Sequence, residues 1–216
     1  MIQAAIFDLD GVIVDTAKYH YLAWKRLAAE LGFDFTEKDN EKLKGVSRMK
    51  SLEILLSIGK INNLLEEEKE ILANKKNNWY VEYISKIGPE EILPGSLEII
   101  GFLKSNSIKI GLGSASKNAI TIIKNIKLFH AFDSIVDGNK INKAKPDPQV
   151  FMLVADELNV SYNKSVVFED AEAGIEAALN AGMKCVGIGN KEILGKADII
   201  VPSLDKLNYN EILNLC

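Results

Sequence analysis

Short, largely apolar runs recur along the chain at Ile2–Phe7, Ile108–Leu112, Ser134–Val136, Ser165–Phe168, Lys184–Ile188 and Asp198–Val201. Most are separated by stretches of helical periodicity. This rhythm constrains the fold more than any other feature. A run without polar alternation fits a strand covered on both faces, the condition of a parallel sheet. Helical stretches between such strands imply right-handed crossovers. Leu97, Ile100 and Leu103 recur at helical spacing, as do Phe151, Val154, Ala155 and Leu158. The alanine-rich stretch Ala173–Ala181 ends at Gly182, a residue suited to stop a helix. The chain reads as an α/β protein with a Rossmann-like parallel sheet core.

One region departs from this rhythm. From Ala17 to Gly88 the pattern is helical and highly charged, with no convincing strand. Tyr19, Ala23, Leu27 and Leu31 form one face, closed by Gly32. Glu66–Lys86 reads as another long helix with Ile71, Trp79 and Tyr83 among its apolar positions. The expectation is a core of residues 1–15 and 93–216, with a small inserted helical cap domain over residues 16–92. Its linkers would lie near Asp15–Thr16 and Gly88–Pro94.

Composition excludes several classes. Of 216 residues, 47% are apolar, enough for a substantial core, and the net charge of -4 leaves no basic footprint for nucleic acid. The apolar runs are too short to cross a bilayer. The first of them breaks at Asp8 without an export pattern, so a cytoplasmic protein is expected. Cys185 and Cys216 have no metal-type spacing, and Cys185 sits in a strand pattern as buried filler.

Ligands of parallel α/β sheets bind at the carboxyl ends of the strands. The first strand ends in Asp8-Leu9-Asp10-Gly11, the second in Gly113-Ser114-Ala115-Ser116-Lys117-Asn118, and the fourth in Glu169-Asp170. Lys143-Ala144-Lys145-Pro146 lies between the third and fourth. Carboxylates gathered at one rim repel each other unless a cation joins them. Hard oxygen donors of this kind suit Mg2+. Lysine and hydroxyl groups beside them would neutralise an anionic substrate, and the combination points to phosphoryl transfer. In the Asp8-Leu9-Asp10 turn side chains alternate, so both acids can face the site while Leu9 packs away. Asp8 would attack phosphorus and also touch the metal. Asp10 would offer its carbonyl to the metal and keep its carboxyl for proton transfer.

"FDLDGVIVDT", "SASKN", "KP" and "FEDAEAG", in this order, resemble the motifs of the haloacid dehalogenase superfamily of phosphotransferases. The helical insertion resembles the cap of its capped branch. "DTAKYHYLAWKRLA", "LKGVSR" and "VFEDAEAGIEA" extend the likeness to the sugar-phosphate mutases of that superfamily, over nearly the whole chain. The resemblance implies Asp8 as the phosphorylated nucleophile, Asp10 as general acid and base, and Ser114 and Lys145 as holders of the transferring phosphoryl group. It implies Mg2+ at Asp8, the Asp10 carbonyl, Glu169 and Asp170. Gly45-Val46-Ser47-Arg48 would form the specificity loop. Arg48, helped by Ser116, Lys117 and Asn118, would clamp the phosphate that is not transferred. His20 would couple cap closure to the acid–base group. The implied reaction interconverts β-D-glucose 1-phosphate and glucose 6-phosphate through a bisphosphate, carried out by a monomer on a small sugar phosphate. Ala144, where some relatives carry a hydroxyl residue, and Met49-Lys50, where relatives are often acidic, depart from the pattern.

Each signal alone has a plainer reading. Asp-x-Asp-Gly can be a polar turn, Glu169-Asp170 a helix start, Ser116 a cap, Lys145-Pro146 a solvated loop, Arg48 a surface charge and His20 packing. The Glu66–Glu68 run is a solvated first helical turn. Four polar clusters at four strand ends, in one order, favour the enzyme. Its rivals are a capped Mg-dependent phosphatase of a small sugar phosphate or phosphoglycolate, and a non-catalytic sugar-phosphate sensor.

Overall fold

The computed structural model describes residues 1–43 and 46–215. The chain begins with strand β1 (Ala4–Phe7) and passes into helices α1 (Ala17–Glu30), α2 (Glu37–Asn40), α3 (Arg48–Ile58) and α4 (Glu66–Ile84). It then alternates through α5 (Ser96–Ser105), β2 (Lys109–Gly113), α6 (Ala119–Asn125), β3 (Ser134–Val136), α7 (Gln149–Leu158) and β4 (Ser165–Glu169). α8 (Glu172–Asn180), β5 (Lys184–Ile188), α9 (Lys191–Leu194), β6 (Ile199–Val201) and α10 (Tyr209–Leu213) complete it. The six strands form one parallel sheet in the order β3-β2-β1-β4-β5-β6. The order reverses beside β1, where the chain crosses to the other half of the sheet, and such a switch point opens a crevice at the strand ends.

Alternation along the strands divides the core into two layers. Ala5 and Phe7 face one side with Val166 and Phe168, against Ile99 and Leu103 of α5 and Ile122 of α6. Ala4 and Ile6 face the other with Val167, against Phe151 and Val154 of α7 and Ile175 of α8. The Phe7 and Phe168 rings stack at 4.4 Å on the paired strands. Burying each such ring contributes about 1.5–3 kcal/mol, and the pairing adds about 0.5–1.5 kcal/mol.

The helices between β1 and α5 have a cluster of their own, with Trp24, Leu27 and Ala28 of α1 against Leu52 and Leu55 of α3 and Ala73 of α4. Two helices leave one apolar residue of the sequence pattern outside their buried face. In α4 the buried positions are Ala73, Lys76, Tyr80 and Ile84, whereas Ile71 is exposed. In α5 they are Ser96, Ile99, Ile100 and Leu103, with Leu97 turned outward. In both helices a small or polar residue, Lys76 in α4 and Ser96 in α5, shares the buried face with large apolar ones. The strands leading to and from the helical segment run side by side. The Asp15 amide donates to the Glu91 carbonyl at 2.9 Å and the Leu93 amide to the Ile13 carbonyl at 3.0 Å.

Candidate active site

Strand order brings the acids together. β1 and β4 are neighbours and Phe7 pairs with Phe168, so Asp8 emerges beside Glu169. The Asp8 amide donates to the Phe168 carbonyl at 2.9 Å, which carries the ladder one residue past β1. Gly11 then adopts φ +84, and a Cβ there would collide with the Asp170 carboxylate. Only glycine lets the turn after β1 press so closely on the acid after β4.

Carboxylate oxygens of Asp8, Glu169 and Asp170 lie within 4.8 Å of one another. Lys145 enters this cluster from the loop before α7. Its Nζ donates to Asp8 Oδ1 at 2.5 Å and to Glu169 Oε2 at 2.8 Å. The other Glu169 oxygen accepts from the Ala171 amide at 3.0 Å. Burial alone would lower the Lys145 amine, but the charges of Asp8 and Glu169 overrule it and hold it above its usual value. Burial raises the Glu169 carboxyl to about 7 against the pull of Lys145. Asp10 accepts a hydrogen bond from the buried Thr16 hydroxyl. Burial, then the Asp8 charge, push its carboxyl up to about 6, while Thr16 pulls the other way. A carboxyl in that range can give and take a proton near neutrality.

The loop after β2 is held by short side-chain turns. The Ser114 amide donates to the Val136 carbonyl at 3.0 Å. The Ser114 hydroxyl accepts from the Ser116 amide at 3.1 Å, and the Ser116 hydroxyl from the Asn118 amide at 3.2 Å. The loop after β3 braces it from the side. The Gly138 amide donates to the Ser116 carbonyl at 3.1 Å, and the Asn139 side-chain amide to the Lys117 carbonyl at 3.0 Å.

The opposite wall comes from the helical segment. Arg48 opens α3, and the Ser47 hydroxyl caps this helix by accepting from the Lys50 amide at 3.3 Å. Lys76 lies 2.8 Å from His20 Nδ1 and over the Trp24 ring at 4.5 Å. Burial, then the Lys76 and Arg48 charges, hold the His20 imidazole well below its usual value. Burial and Arg48 do the same to the Lys76 amine. The Asn118 side-chain amide donates to Asn77 Oδ1 of α4 at 3.2 Å, joining the two walls.

Between the walls lies a cavity of about 480 Å3. Asp8, Asp10, His20, Val46, Ser47, Arg48, Ser114, Ser116, Lys117, Asn118, Lys145 and Asp170 all line it. Glu169 is fully buried and meets the site through the acidic cluster. Gly45 lies outside the described residues. Trp24, Asn40, Lys76 and Asn77 also line the cavity, and the sequence reading missed them. Lys76 stands in the run Lys75-Lys76-Asn77-Asn78, where only the three- and four-residue spacing to Ala73 and Tyr80 marks it as inward.

The acidic cluster suits a hard divalent cation. Its donors are all carboxylate oxygens within reach of one centre, delivered by adjacent strands. Glycine at position 11 leaves room for Asp170, and glycine at position 174 leaves room for Glu169, where a Cβ would clash with the carboxylate.

The sequence profile of the haloacid dehalogenase-like hydrolases matches residues 5–188. The chain is 45% identical to a β-phosphoglucomutase of Bacillus subtilis (strain 168), over 92% of this chain and 88% of that protein. It is 32% identical to a phosphorylated carbohydrates phosphatase of Thermotoga maritima, over 99% of this chain and 97% of the other. A crystal structure of β-phosphoglucomutase from Clostridium difficile superposes with a TM-score of 0.94 at 47% identity, covering 100% of this chain and 97% of that one.

Proposed function

The chain belongs to the haloacid dehalogenase-like hydrolase family, and from that premise we infer that it is a phosphomutase interconverting β-D-glucose 1-phosphate and glucose 6-phosphate through glucose 1,6-bisphosphate. The observation that carries this reading is a cavity with cationic side chains on both walls. Lys145 stands on the sheet rim, and Arg48 and Lys76 stand on the helices opposite. A substrate with a phosphate at each end would be held at both, and could present either end to Asp8.

In this reading the segment 16–92 is the cap and residues 1–15 and 93–216 are the core. A monomer acts on the sugar phosphate. The carboxylates of Asp8, Glu169 and Asp170, with the Asp10 carbonyl, would hold Mg2+, which when bound offsets the negative charge of the transferring phosphoryl group and of Asp8. An Asp8 oxygen attacks phosphorus, the bond from phosphorus to the sugar oxygen breaks, and Asp10 gives that oxygen its proton. In the return step a sugar hydroxyl attacks the aspartyl phosphate and its proton passes to Asp10. Lys145 and Ser114 hold the phosphoryl oxygens, and Lys145 keeps its charge throughout because Asp8 and Glu169 flank it. Arg48 grips the remote phosphate in two places, with Ser116, Lys117, Asn118 and the Val46-Ser47 turn completing the grip. His20 relays the position of α4 to the site through Lys76. The closed walls exclude water that would hydrolyse the aspartyl phosphate.

The test is product analysis. Given β-D-glucose 1-phosphate, Mg2+ and a trace of bisphosphate, the protein is expected to yield glucose 6-phosphate. Release of glucose and inorganic phosphate would instead identify a phosphatase, the activity of the Thermotoga maritima relative. Asp8→Asn is expected to abolish the phosphorylated protein seen by intact mass while leaving the circular dichroism spectrum unchanged.

A further inference from the structure

The loop after β2 carries Ser116 and Lys117 to the cavity, and the loop after β3, Asp137-Gly138-Asn139, lies against it. Two successive carbonyls of the first loop are taken by the second. The Gly138 amide donates to the Ser116 carbonyl at 3.1 Å, and Asn139 Nδ2 donates to the Lys117 carbonyl at 3.0 Å. Asn139 is itself anchored. Its backbone amide donates to Asp137 Oδ1 at 2.9 Å, and its Nδ2 donates to Asp137 Oδ2 at 2.9 Å. Asp137 is buried. Both hydrogens of Nδ2 are therefore in use, one on the Asp137 carboxyl group and one on the Lys117 carbonyl. The two loops meet closely. A Cβ at position 138 would collide with the Ala115 carbonyl oxygen and stand 3.0 Å from the Lys117 nitrogen, so the approach requires glycine there.

Holding a carbonyl also aims the amide bonded to it. The peptide bonds joining Ser116, Lys117 and Asn118 are trans, and in a trans peptide the N–H points opposite to the C=O. With the Ser116 carbonyl fixed on Gly138, the Lys117 N–H turns away from the 137–139 loop. With the Lys117 carbonyl fixed on Asn139, the Asn118 N–H turns to the Ser116 hydroxyl, which accepts from it at 3.2 Å. A hydroxyl whose oxygen accepts such a bond keeps its own hydrogen to give. Ser116 lines the cavity, so that hydrogen is available to a ligand.

This inference rests on the proposed function above, in which Ser116, Lys117 and Asn118 help Arg48 grip the phosphate that is not transferred. We propose that Asn139 is a positioning residue for that remote phosphate site. It ties the buried Asp137 to the Lys117 carbonyl, and so sets the Lys117 amide and the Ser116 hydroxyl as donors before a substrate arrives. Donors fixed beforehand lose little freedom on binding. The effect belongs to binding at the remote end and leaves the attack by Asp8 untouched.

The test uses the full-length, Mg2+-loaded protein with two substrates. β-D-Glucose 1-phosphate meets the phosphorylated protein with its own phosphate at the remote site, so its KM reports that grip. p-Nitrophenyl phosphate has a single phosphate, which goes to Asp8 and leaves the remote site unused. Asn139→Leu keeps the bulk of the side chain and removes its donors. It is expected to raise KM for β-D-glucose 1-phosphate about fivefold, the loss of one hydrogen bond of average strength, with kcat unchanged. The p-nitrophenol burst should keep its wild-type rate, whereas a loosened fold would slow both reactions together. Asn139→Ala, which also lacks the donors, should show the same split. An unchanged KM, or equal losses with both substrates, would overturn the proposal. Arg48→Ala measured alongside separates the two levels. If it raises KM while both Asn139 variants match wild type, only the Asn139 inference fails. If Arg48→Ala leaves KM unchanged, the remote phosphate site itself fails, and this inference with it.

Discussion

The sheet rim and the helical segment facing it each bury one lysine against the same cavity, and they treat it in opposite ways. Lys145 is 3% exposed and Lys76 is 2% exposed, so burial does not distinguish them. Their partners do. Lys145 touches two carboxylates at 2.5 and 2.8 Å. Lys76 meets a His20 nitrogen and the faces of Trp24 and Tyr80, with Arg48 repelling it and only Asp10 favouring its charge. One lysine is a fixed cation whatever the cavity holds. Burial and the Arg48 charge hold the other's amine well below its usual value. The rim sets its lysine against carboxylates, and the helical wall sets its lysine against an imidazole and aromatic rings.

Deleting the two amines in turn separates the two walls most strongly. Lys145→Met leaves Asp8 and Glu169 buried without their cation. Losing one partner of a buried charged cluster costs about 3–5 kcal/mol. Urea unfolding in EDTA at pH 7 should show that loss, and the deficit should shrink at pH 5 as the Glu169 carboxyl takes up a proton. Sugar-phosphate conversion should be lost with it.

A second effect, on the order of 2–3 kcal/mol, comes from pH. The Asp10 carboxyl rises from 3.8 to about 6 on folding, so between those values the folded chain binds more protons than the unfolded one. Its contribution is therefore fully present below pH 3.8 and is lost as pH rises through about 6. Without metal, wild type should lose stability relative to Asp10→Asn across that window, as read by paired thermal melts. A parallel pair of curves would remove Asp10 from the rim's charge balance.

The smallest effect on the fold is expected at the other lysine. Lys76→Met removes a desolvated amine that has no charged hydrogen-bond partner, so unfolding free energy should move by no more than about 1 kcal/mol. Its cost should appear as a KM for the sugar phosphate raised about tenfold, the loss of one charge-assisted contact. If Lys145→Met and Lys76→Met destabilise the resting protein equally, the contrast between the two walls is wrong.

The two walls also differ in how legible they were. Strand ends Phe7, Val136 and Ile188 could be placed by pattern alone, because continuous apolar runs stop where the chain reaches the rim. The polar residues just beyond then mark one edge of the sheet, and register does the rest. Asp8 lies beside Glu169 because Phe7 pairs with Phe168. The helical wall offered no such ruler. α4 turns Lys76 and Tyr80 inward and leaves Ile71 outside. A buried lysine in a charged helix carries the same letter as a solvated one. What buries it is the ring of Trp24, 52 residues earlier in the chain, and no local pattern reports that contact. The brace from Gly138 and Asn139 onto the Ser116–Lys117 backbone was equally silent, since it depends on two loops meeting after the sheet has formed.

The paired strands at Ile13–Asp15 and Glu91–Leu93 put the exit and the return of the helical segment at a single doorway. Everything between them can be lifted out and another length of chain spliced in without lengthening or shortening any strand of the sheet. Chimeras cut at this doorway would exchange the helical wall of the cavity while keeping the acidic rim of the sheet.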